Sequence, residues 1–90
     1  MRISVELFGI PRIRAGVQVV ELELAVPTTL GQVLAELSRL FPALEGECIV
    51  NGELLPGFLA SLRGDRFIRD SATTLDGEAS LLILTADAGG

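Results

Sequence analysis

The sequence predicts an α+β domain in which one helix packs across one face of a mixed β-sheet of four to five strands. Three observations support this fold class: two alternating segments near the N-terminus, one amphipathic helical stripe after them, and a near-continuous apolar run close to the C-terminus. Ninety residues, 49% of them hydrophobic, suit one small domain with a single core. We therefore expect residues 1–90 to form one domain that ends in a flexible tail at residues 86–90.

The two N-terminal segments are typical of a β-hairpin. Residues 2–8 and 17–26 both alternate between apolar and polar side chains, as half-buried strands do, and residues 9–16 are expected to form the loop between them. The side chains predicted to face inward are Ile3, Val5, Leu7, Val20, Leu22, Leu24 and Val26. Pro27 is expected to end the second strand, because proline cannot donate a ladder hydrogen bond.

The period of the apolar residues then changes to that of a helix. Positions i, i+3, i+4, i+7 and i+11 are occupied by Leu30, Val33, Leu34, Leu37 and Phe41. This stripe predicts an amphipathic helix that packs on the sheet. Thr29 and Gln32 have the spacing of a capping box, and Pro42 is a stop signal after the helix.

The third main strand has two candidate positions. Asn51-Gly52 is a hairpin turn signal that favours a strand at residues 47–50, whereas residues 58–62 form a second strand-like run. We place the strand at 58–62, because residues 63–68 then supply a turn and a short return strand. The position of this strand stays open between the two segments.

The last strand is predicted at residues 81–85, after a turn at Asp76-Gly77. Its side chains are apolar almost without interruption, which is typical of a central strand covered on at least one face. We expect this strand to lie beside the first strand in the middle of the sheet.

The composition excludes several classes of function. The chain has no histidine and one cysteine, Cys48, so a histidine-dependent triad, a histidine-ligated metal and a zinc-finger thiolate cluster are all excluded. A lone cysteine among apolar neighbours is more often a small buried side chain than a reactive thiol. The net charge of -5 and the lack of Trp and Tyr argue against nucleic acid as a partner. We expect no membrane partner and a cytoplasmic location, since no signal peptide or long apolar span is visible.

The chain ends in Gly89-Gly90, which is a possible chemical handle. Two residues without Cβ atoms can pass through a slot too narrow for any side chain. Fully extended, the five residues Ala86, Asp87, Ala88, Gly89 and Gly90 span roughly 17 Å, enough to enter a partner's active site. Terminal glycines are also often inert, so the rest of the chain must decide between these interpretations.

Taken together, these features resemble the MoaD/ThiS family of ubiquitin-like (β-grasp) sulfur-carrier proteins, and the resemblance covers the whole chain. The residues that carry it are Ile3-Ser4-Val5-Glu6-Leu7-Phe8, Pro27-Thr28-Thr29-Leu30, the helix end from Leu37 to Pro42, Thr74-Leu75-Asp76-Gly77-Glu78, and the terminal Gly89-Gly90. Each motif is weak by itself, but their order along the chain is fairly specific.

The resemblance implies that this protein is a carrier or small subunit and not an enzyme. A ubiquitin-activating-type partner would use ATP to adenylate the Gly90 carboxylate, and sulfur would then displace AMP to leave a thiocarboxylate. Gly89, Ala88, Asp87 and Ala86 would thread into that partner, and the acidic surface with the face of the last strand would dock on it. Molybdopterin is favoured over the thiamin thiazole as the sulfur acceptor, with a molybdopterin synthase large subunit as a second partner. The chain itself is expected to bind no cofactor or metal.

Two alternatives stay open. A ubiquitin-like modifier would attach Gly90 to lysines of other proteins, and it would not build chains on its own lysines because this sequence has none. A β-grasp interaction module would bind partners through its body and carry an inert tail. Fold alone cannot choose among the three, since function resides in the site and its partner.

Overall fold

A five-stranded mixed sheet forms the centre of the computed structural model, which describes residues 1–75 and 79–86. In chain order the elements are β1 (Arg2–Leu7), α1 (Ile10–Ala15), β2 (Val19–Glu23), β3 (Thr28–Thr29), α2 (Leu30–Leu40), a 3-10 helix (Pro42–Leu44), β4 (Ile49–Val50), β5 (Glu53–Leu54), β6 (Phe58–Leu62), β7 (Arg66–Ile68), β8 (Thr74–Leu75) and β9 (Ala79–Thr85). The predicted Asp76-Gly77 turn lies outside the described residues. No helix in the described part of the chain has the length and hydrophobicity needed to cross a bilayer.

The strand order of the main sheet is β2-β1-β9-β6-β7. β1 pairs in parallel with β9, and the other neighbours in this sheet are antiparallel. The first and last strands are therefore adjacent at the centre, as the sequence predicted. A mixed sheet with one main helix confirms the predicted α+β fold class.

The core lies between the sheet and α2. Leu30, Val33, Leu34 and Leu37 of the helix are fully buried, which confirms the predicted stripe. The sheet side chains that share the core with them include Ile3, Val5, Leu7, Ala60, Leu81 and Ile83. Each large apolar side chain buried in this way contributes about 2 kcal/mol relative to exposure, so this layer supplies most of the driving force for folding.

The capping box predicted at the start of α2 is present. The Gln32 amide donates to Thr29 Oγ1 at 3.2 Å, and the Thr29 amide donates to Gln32 Oε1 at 2.9 Å. The two residues thus satisfy each other's free amides at the helix N-terminus. Phe41 is the C-cap and is partly buried, so the helix ends one residue before the predicted last member of its stripe.

The prediction of a loop at residues 9–16 was wrong, because this segment contains α1. Gly9 precedes the helix, Pro11 lies within its first turn and is buried, and Gly16 ends it in a left-handed conformation with φ 80°. Six residues are too few to show a helical apolar period, and two flanking glycines with a proline have the composition of a loop. Helix boundary signals were present, but they were attributed to turns.

The second strand is shorter than predicted. It ends at Glu23, so Leu24 is only partly buried and Val26 is 73% exposed. The chain leaves the main sheet at that point to form β3, whose Thr28 is buried and pairs with Leu75 of β8. The alternation of apolar and polar residues continues beyond Glu23, so the pattern alone does not show that the chain leaves the main sheet there.

Both candidate positions for the third strand form strands, but only one of them joins the main sheet. β6 at Phe58–Leu62 pairs with β9, which confirms the placement preferred from the sequence. β4 and β5 form a separate small hairpin around Asn51 and Gly52, whose φ angles are 52° and 75°. Two consecutive positive φ angles define the turn that Asn-Gly favours, so that signal was genuine but local.

Candidate functional site

The chain leaves the sheet at the end of β9, its central strand. The Phe8 amide donates to the Ile83 carbonyl at 2.9 Å on one side of this strand, and the Ala86 amide donates to the Gly57 carbonyl at 2.7 Å on the other. These backbone bonds therefore reach Ile83 on the β1 side and Ala86, which is exposed, on the β6 side. The other predicted tail residues, Asp87, Ala88, Gly89 and Gly90, lie outside the described residues.

A contact between Gly9 and Thr85 marks this exit point. Gly9 has φ 68° and ψ -132°, a combination that is essentially limited to glycine. A Cβ built on Gly9 would lie 2.6 Å from Thr85 Oγ1, so no side chain fits there without displacement. The same hydroxyl oxygen accepts a hydrogen bond from the Ile10 amide at 3.2 Å.

This hydrogen bond caps α1 from another element. The residue before the helix is Gly9, which has no side chain with which to bond a free amide of the first turn. Thr85 supplies the missing acceptor from the end of β9, 75 residues away in sequence. The last residue of the central strand is thus joined directly to the first turn of α1.

The face of the sheet opposite α2 carries the alternate residues of each strand. Along β9, Leu81 and Ile83 face the core, so Leu82 and Leu84 lie on the outer face and are partly buried. In the register of the sheet, Leu84 is opposite Leu59, and Leu82 is opposite Ser61. The near-continuous apolar run of β9 is explained by these two outer leucines.

One half of this outer face is mainly apolar, although Glu6, which is opposite Leu82 in register, adds a carboxylate to it. We call Phe8, Leu59, Phe67, Leu82 and Leu84 the apolar patch; Phe67 is 66% exposed and Phe8 is 39% exposed. Phe67 is paired with Ser61 in register and therefore shares the outer face with Leu59 and Leu82. Contiguous exposed apolar side chains of this kind commonly mark an interaction surface.

The apolar patch lies at the same end of the sheet as the chain exit. Phe8, Leu82 and Leu84 line a groove together with Gly9 and Thr85. At the opposite end of the outer face, a second groove is lined by one alanine and otherwise by polar side chains, namely Arg2, Ser4, Glu21, Arg63 and Ser80. The outer face is therefore divided, with its apolar half next to the base of the predicted tail.

Several acidic residues form ion pairs away from this half of the sheet. Arg14 bonds Glu47 at 2.9 Å, and Arg39 bonds Glu36 at 2.6 Å, which lowers the pKa of the Glu36 carboxyl. The pKa of Glu23 is likewise lowered, mainly by a hydrogen bond from the amino group of Met1. No group of three potential metal ligands occurs within residues 1–75 and 79–86. The outer face at the chain exit thus offers mainly apolar contacts, with charge at its margins.

Cys48 is fully buried and is packed in the core, as predicted. Burial raises the pKa of its thiol, with a further contribution from the nearby Glu47 carboxylate. A thiol with these surroundings is a poor nucleophile, because the reactive species is the thiolate. A role for Cys48 as a sulfur acceptor is therefore disfavoured by its position.

The sequence predicted the exit strand and a docking role for its face, but it did not predict the contact between Gly9 and Thr85 or the residues that form the apolar patch. Gly9 and Thr85 lie far apart in the chain, and neither belongs to a recognisable motif. Leu82 and Leu84 were a partial indication of the apolar patch, because a strand covered on one face needs apolar side chains on that face only. With a single main helix predicted, the second face of the strand had to be exposed or covered by a partner.

These features define a ubiquitin-like β-grasp domain with an apolar patch beside its chain exit. It is similar in structure to SAMP1 from Haloferax volcanii, with a TM-score of 0.85 and 22% identity over 100% of both chains. The HVO 2177 protein from Haloferax volcanii is 26% identical, with a TM-score of 0.81 over 100% of this chain and 87% of that one. A Pyrococcus furiosus protein assigned as molybdopterin converting factor, subunit 1, is 15% identical, with a TM-score of 0.75 over 94% of this chain and 97% of that one.

The comparison of structures confirms the predicted resemblance at the level of the fold. The similar chains bear the names of a small archaeal modifier protein and of a molybdopterin converting factor subunit. No protein-family model matches the sequence. No curated protein matches it either.

Proposed function

We propose that this protein is a ubiquitin-like sulfur carrier whose Gly90 carboxylate is activated by an adenylating partner and converted to a thiocarboxylate. The observation that carries the proposal is the position of the apolar patch. It lies on the outer face of the strand from which the chain continues toward Gly90, beside the groove that includes Thr85. A partner that docks on this patch therefore also contacts the start of the tail.

The length of the tail supports the same proposal. Among the described residues, Ala86 is the last whose backbone amide bonds to the rest of the domain, and residues 87–90 follow it in the sequence. Four extended residues span at most about 14 Å, so the partner's reactive centre must lie close to the docked face. Gly89 and Gly90 carry no side chains, which suits passage through a narrow channel.

Activation requires chemistry that the carrier does not supply. An oxygen of the Gly90 carboxylate attacks the α-phosphorus of ATP in the partner's site, and pyrophosphate leaves. The resulting acyl adenylate is an electrophile, whereas the free carboxylate is not. In this scheme the partner enzyme binds ATP, and the carrier is the protein substrate of that enzyme.

The sulfur step replaces the activating group. A hydrosulfide equivalent adds to the acyl carbon of Gly90, the acyl–oxygen bond to the phosphate breaks, and AMP leaves with the bonding electrons. The product is a thiocarboxylate, which holds sulfur at the oxidation level of sulfide and needs no redox step by the carrier. We favour the precursor of molybdopterin over that of the thiamin thiazole as the acceptor, with a synthase large subunit as the second partner. This preference follows the sequence resemblance, and the likeness in fold to a molybdopterin converting factor subunit is compatible with it.

Mass spectrometry of the intact protein tests the proposal. The protein is purified from its native cell, or incubated with an adenylating enzyme from the same organism, ATP and sulfide. We expect a gain of about 16 Da, the difference in mass between sulfur and oxygen, confined to the C-terminal peptide. A variant that lacks Gly90 is the control and should show no gain. A mass that stays unchanged in the native cell and in the complete reaction would reject the proposal.

A second candidate function is protein modification, and the likeness to small archaeal modifier proteins favours it. In that case the Gly90 acyl group is transferred to lysine amines of other proteins. Its sign would be Gly-Gly remnants on lysines of cellular proteins that disappear when Gly90 is deleted. If deletion of Gly89 and Gly90 changed neither partner binding nor growth, an interaction module with an inert tail would be the better description.

A further inference from the structure

We propose that Thr85 is a positioning residue, whose hydroxyl sets the direction in which the tail leaves the domain. This inference rests on the proposed function, because direction matters only if Gly90 must reach a partner's reactive centre. Thr85 is the last residue of β9, and it precedes the exposed Ala86. It is the point at which the chain changes from sheet to tail.

The contacts around Thr85 hold this point from two sides. On the β1 side, Thr85 Oγ1 accepts from the Ile10 amide at 3.2 Å. On the β6 side, the Ala86 amide donates to the Gly57 carbonyl at 2.7 Å. One side-chain contact and one backbone contact thus hold the chain on both sides at Thr85 and Ala86.

The backbone at Gly9 leaves room for the Thr85 hydroxyl because this position has no side chain. Gly9 passes so near that its hypothetical Cβ would lie 2.6 Å from Thr85 Oγ1, and its φ of 68° and ψ of -132° bring the backbone to that point. A glycine in a glycine-only conformation is a cost to the fold, since it raises the entropy of the unfolded chain. The contact it permits is one exposed hydrogen bond, whose contribution to net stability is no larger than that of an ordinary helix cap. The geometry therefore fits a positioning role better than a stabilising one.

The consequence for catalysis follows from the length of the tail. Four residues that became extended in the partner's site would span at most about 14 Å, so a small change in direction at Thr85 would move the Gly90 carboxylate by several ångströms. A misplacement of about 1 Å can cost roughly 100-fold in rate at a reacting centre, although a tail that samples several directions recovers part of this loss. Thr85 lines the same groove as Phe8, Leu82 and Leu84. Thr85→Val keeps the shape of that groove and removes only the hydroxyl, so we expect kcat to change more than KM.

The experiment compares Thr85→Val with Thr85→Ser. Valine keeps the shape and removes the acceptor, whereas serine keeps the acceptor. Pyrophosphate exchange with the native adenylating enzyme gives kcat and KM for each carrier. We expect kcat for Thr85→Val to fall about tenfold with KM unchanged, and Thr85→Ser to behave as the unaltered protein does.

A second measurement needs no partner. Hydrogen exchange of the Ile10 amide should become faster in Thr85→Val and stay slow in Thr85→Ser. Urea unfolding should shift in the valine variant by no more than the loss of one helix cap, and it should stay unchanged in the serine variant. Equal kcat values for the valine variant and the unaltered protein would overturn the inference. So would a fall in kcat that simply follows a fall in stability. If the unaltered protein supports no exchange at all, the proposed function itself fails, and the two failures are thereby distinguished.

Discussion

Gly9 lies against the hydroxyl of Thr85, in a conformation and at a distance that leave no room for a side chain. The hypothetical Cβ of Gly9 would be 2.6 Å from Thr85 Oγ1. This contact brings together the loop after β1, the first turn of α1 and the last residue of β9. It also lies at the edge of the apolar patch, so the proposed docking surface and the start of the tail meet at this contact.

The first prediction concerns Gly9. Gly9→Ala combines an unfavourable backbone conformation with the steric overlap at Thr85, and we expect it to lower the free energy of unfolding by about 2 to 3 kcal/mol. Urea denaturation measures this loss. The matched control is Gly16→Ala at the other end of α1, where φ is also positive but no atom lies within 4 Å of the new Cβ. That variant should lose only about 1 kcal/mol, and equal losses in the two would show that the overlap is unimportant.

The second prediction concerns the apolar patch. Phe67→Ser removes its most exposed member, and we expect KM for adenylation to rise about five- to tenfold, because exposed aromatic side chains are frequent binding hot spots. The unfolding free energy should change little. The matched control is Val26→Ser. Val26 is 73% exposed and lies beyond the end of β2 that pairs with Arg2. This residue is at the opposite end of the sheet, so a similar rise in KM for the control would contradict docking on the patch.

The third prediction concerns the capping box of α2. Thr29→Ala should lower the free energy of unfolding by about 1 kcal/mol, because the Gln32 amide loses its acceptor. Thr29→Ser should restore most of it. Gln32→Ala acts on the same pair, so the double variant is expected to lose less than the sum of the two single variants. Adenylation kinetics should be unchanged, and strictly additive losses would show that the two hydrogen bonds are independent.

The fourth prediction concerns the pH dependence of stability. Hydrogen bonding to Arg39 lowers the pKa of Glu36 in the folded protein. A carboxylate whose pKa is depressed by folding contributes stability above its unfolded pKa, and that contribution is lost as the pH falls through the folded value. Glu36→Gln should therefore show less loss of stability than the unaltered protein between about pH 5 and pH 3. Arg39 is exposed and Glu36 is only partly buried, so the difference should be small and should shrink further in about 1 M salt.

Urea denaturation across this pH range measures the effect. Arg39→Gln removes the other member of the pair and should flatten the pH profile in the same way. If Glu36→Gln and the unaltered protein gave parallel profiles at low salt, the pair would make no contribution to stability.

Much of the fold could be predicted because its signals are local and periodic. The inward side chains of β1 and the stripe of α2 are where the alternation and the helical spacing place them. The position of β9 at the centre followed from its apolar run. α1 could not be recognised in the same way, since it is held by Pro11, by Arg14 and by a cap from Thr85 instead of by a periodic apolar face.

The sequence by itself determined the fold class, the main helix with its capping box and the central place of the last strand, because each depends on the spacing of nearby residues. It also limited the chemistry, since a chain without histidine or lysine and with one cysteine has few reactive groups. Only the tertiary structure decided which outer side chains form one patch and that Thr85 meets Gly9. Those relationships depend on strand register and on contacts between distant segments, and local periodicity does not encode either of them.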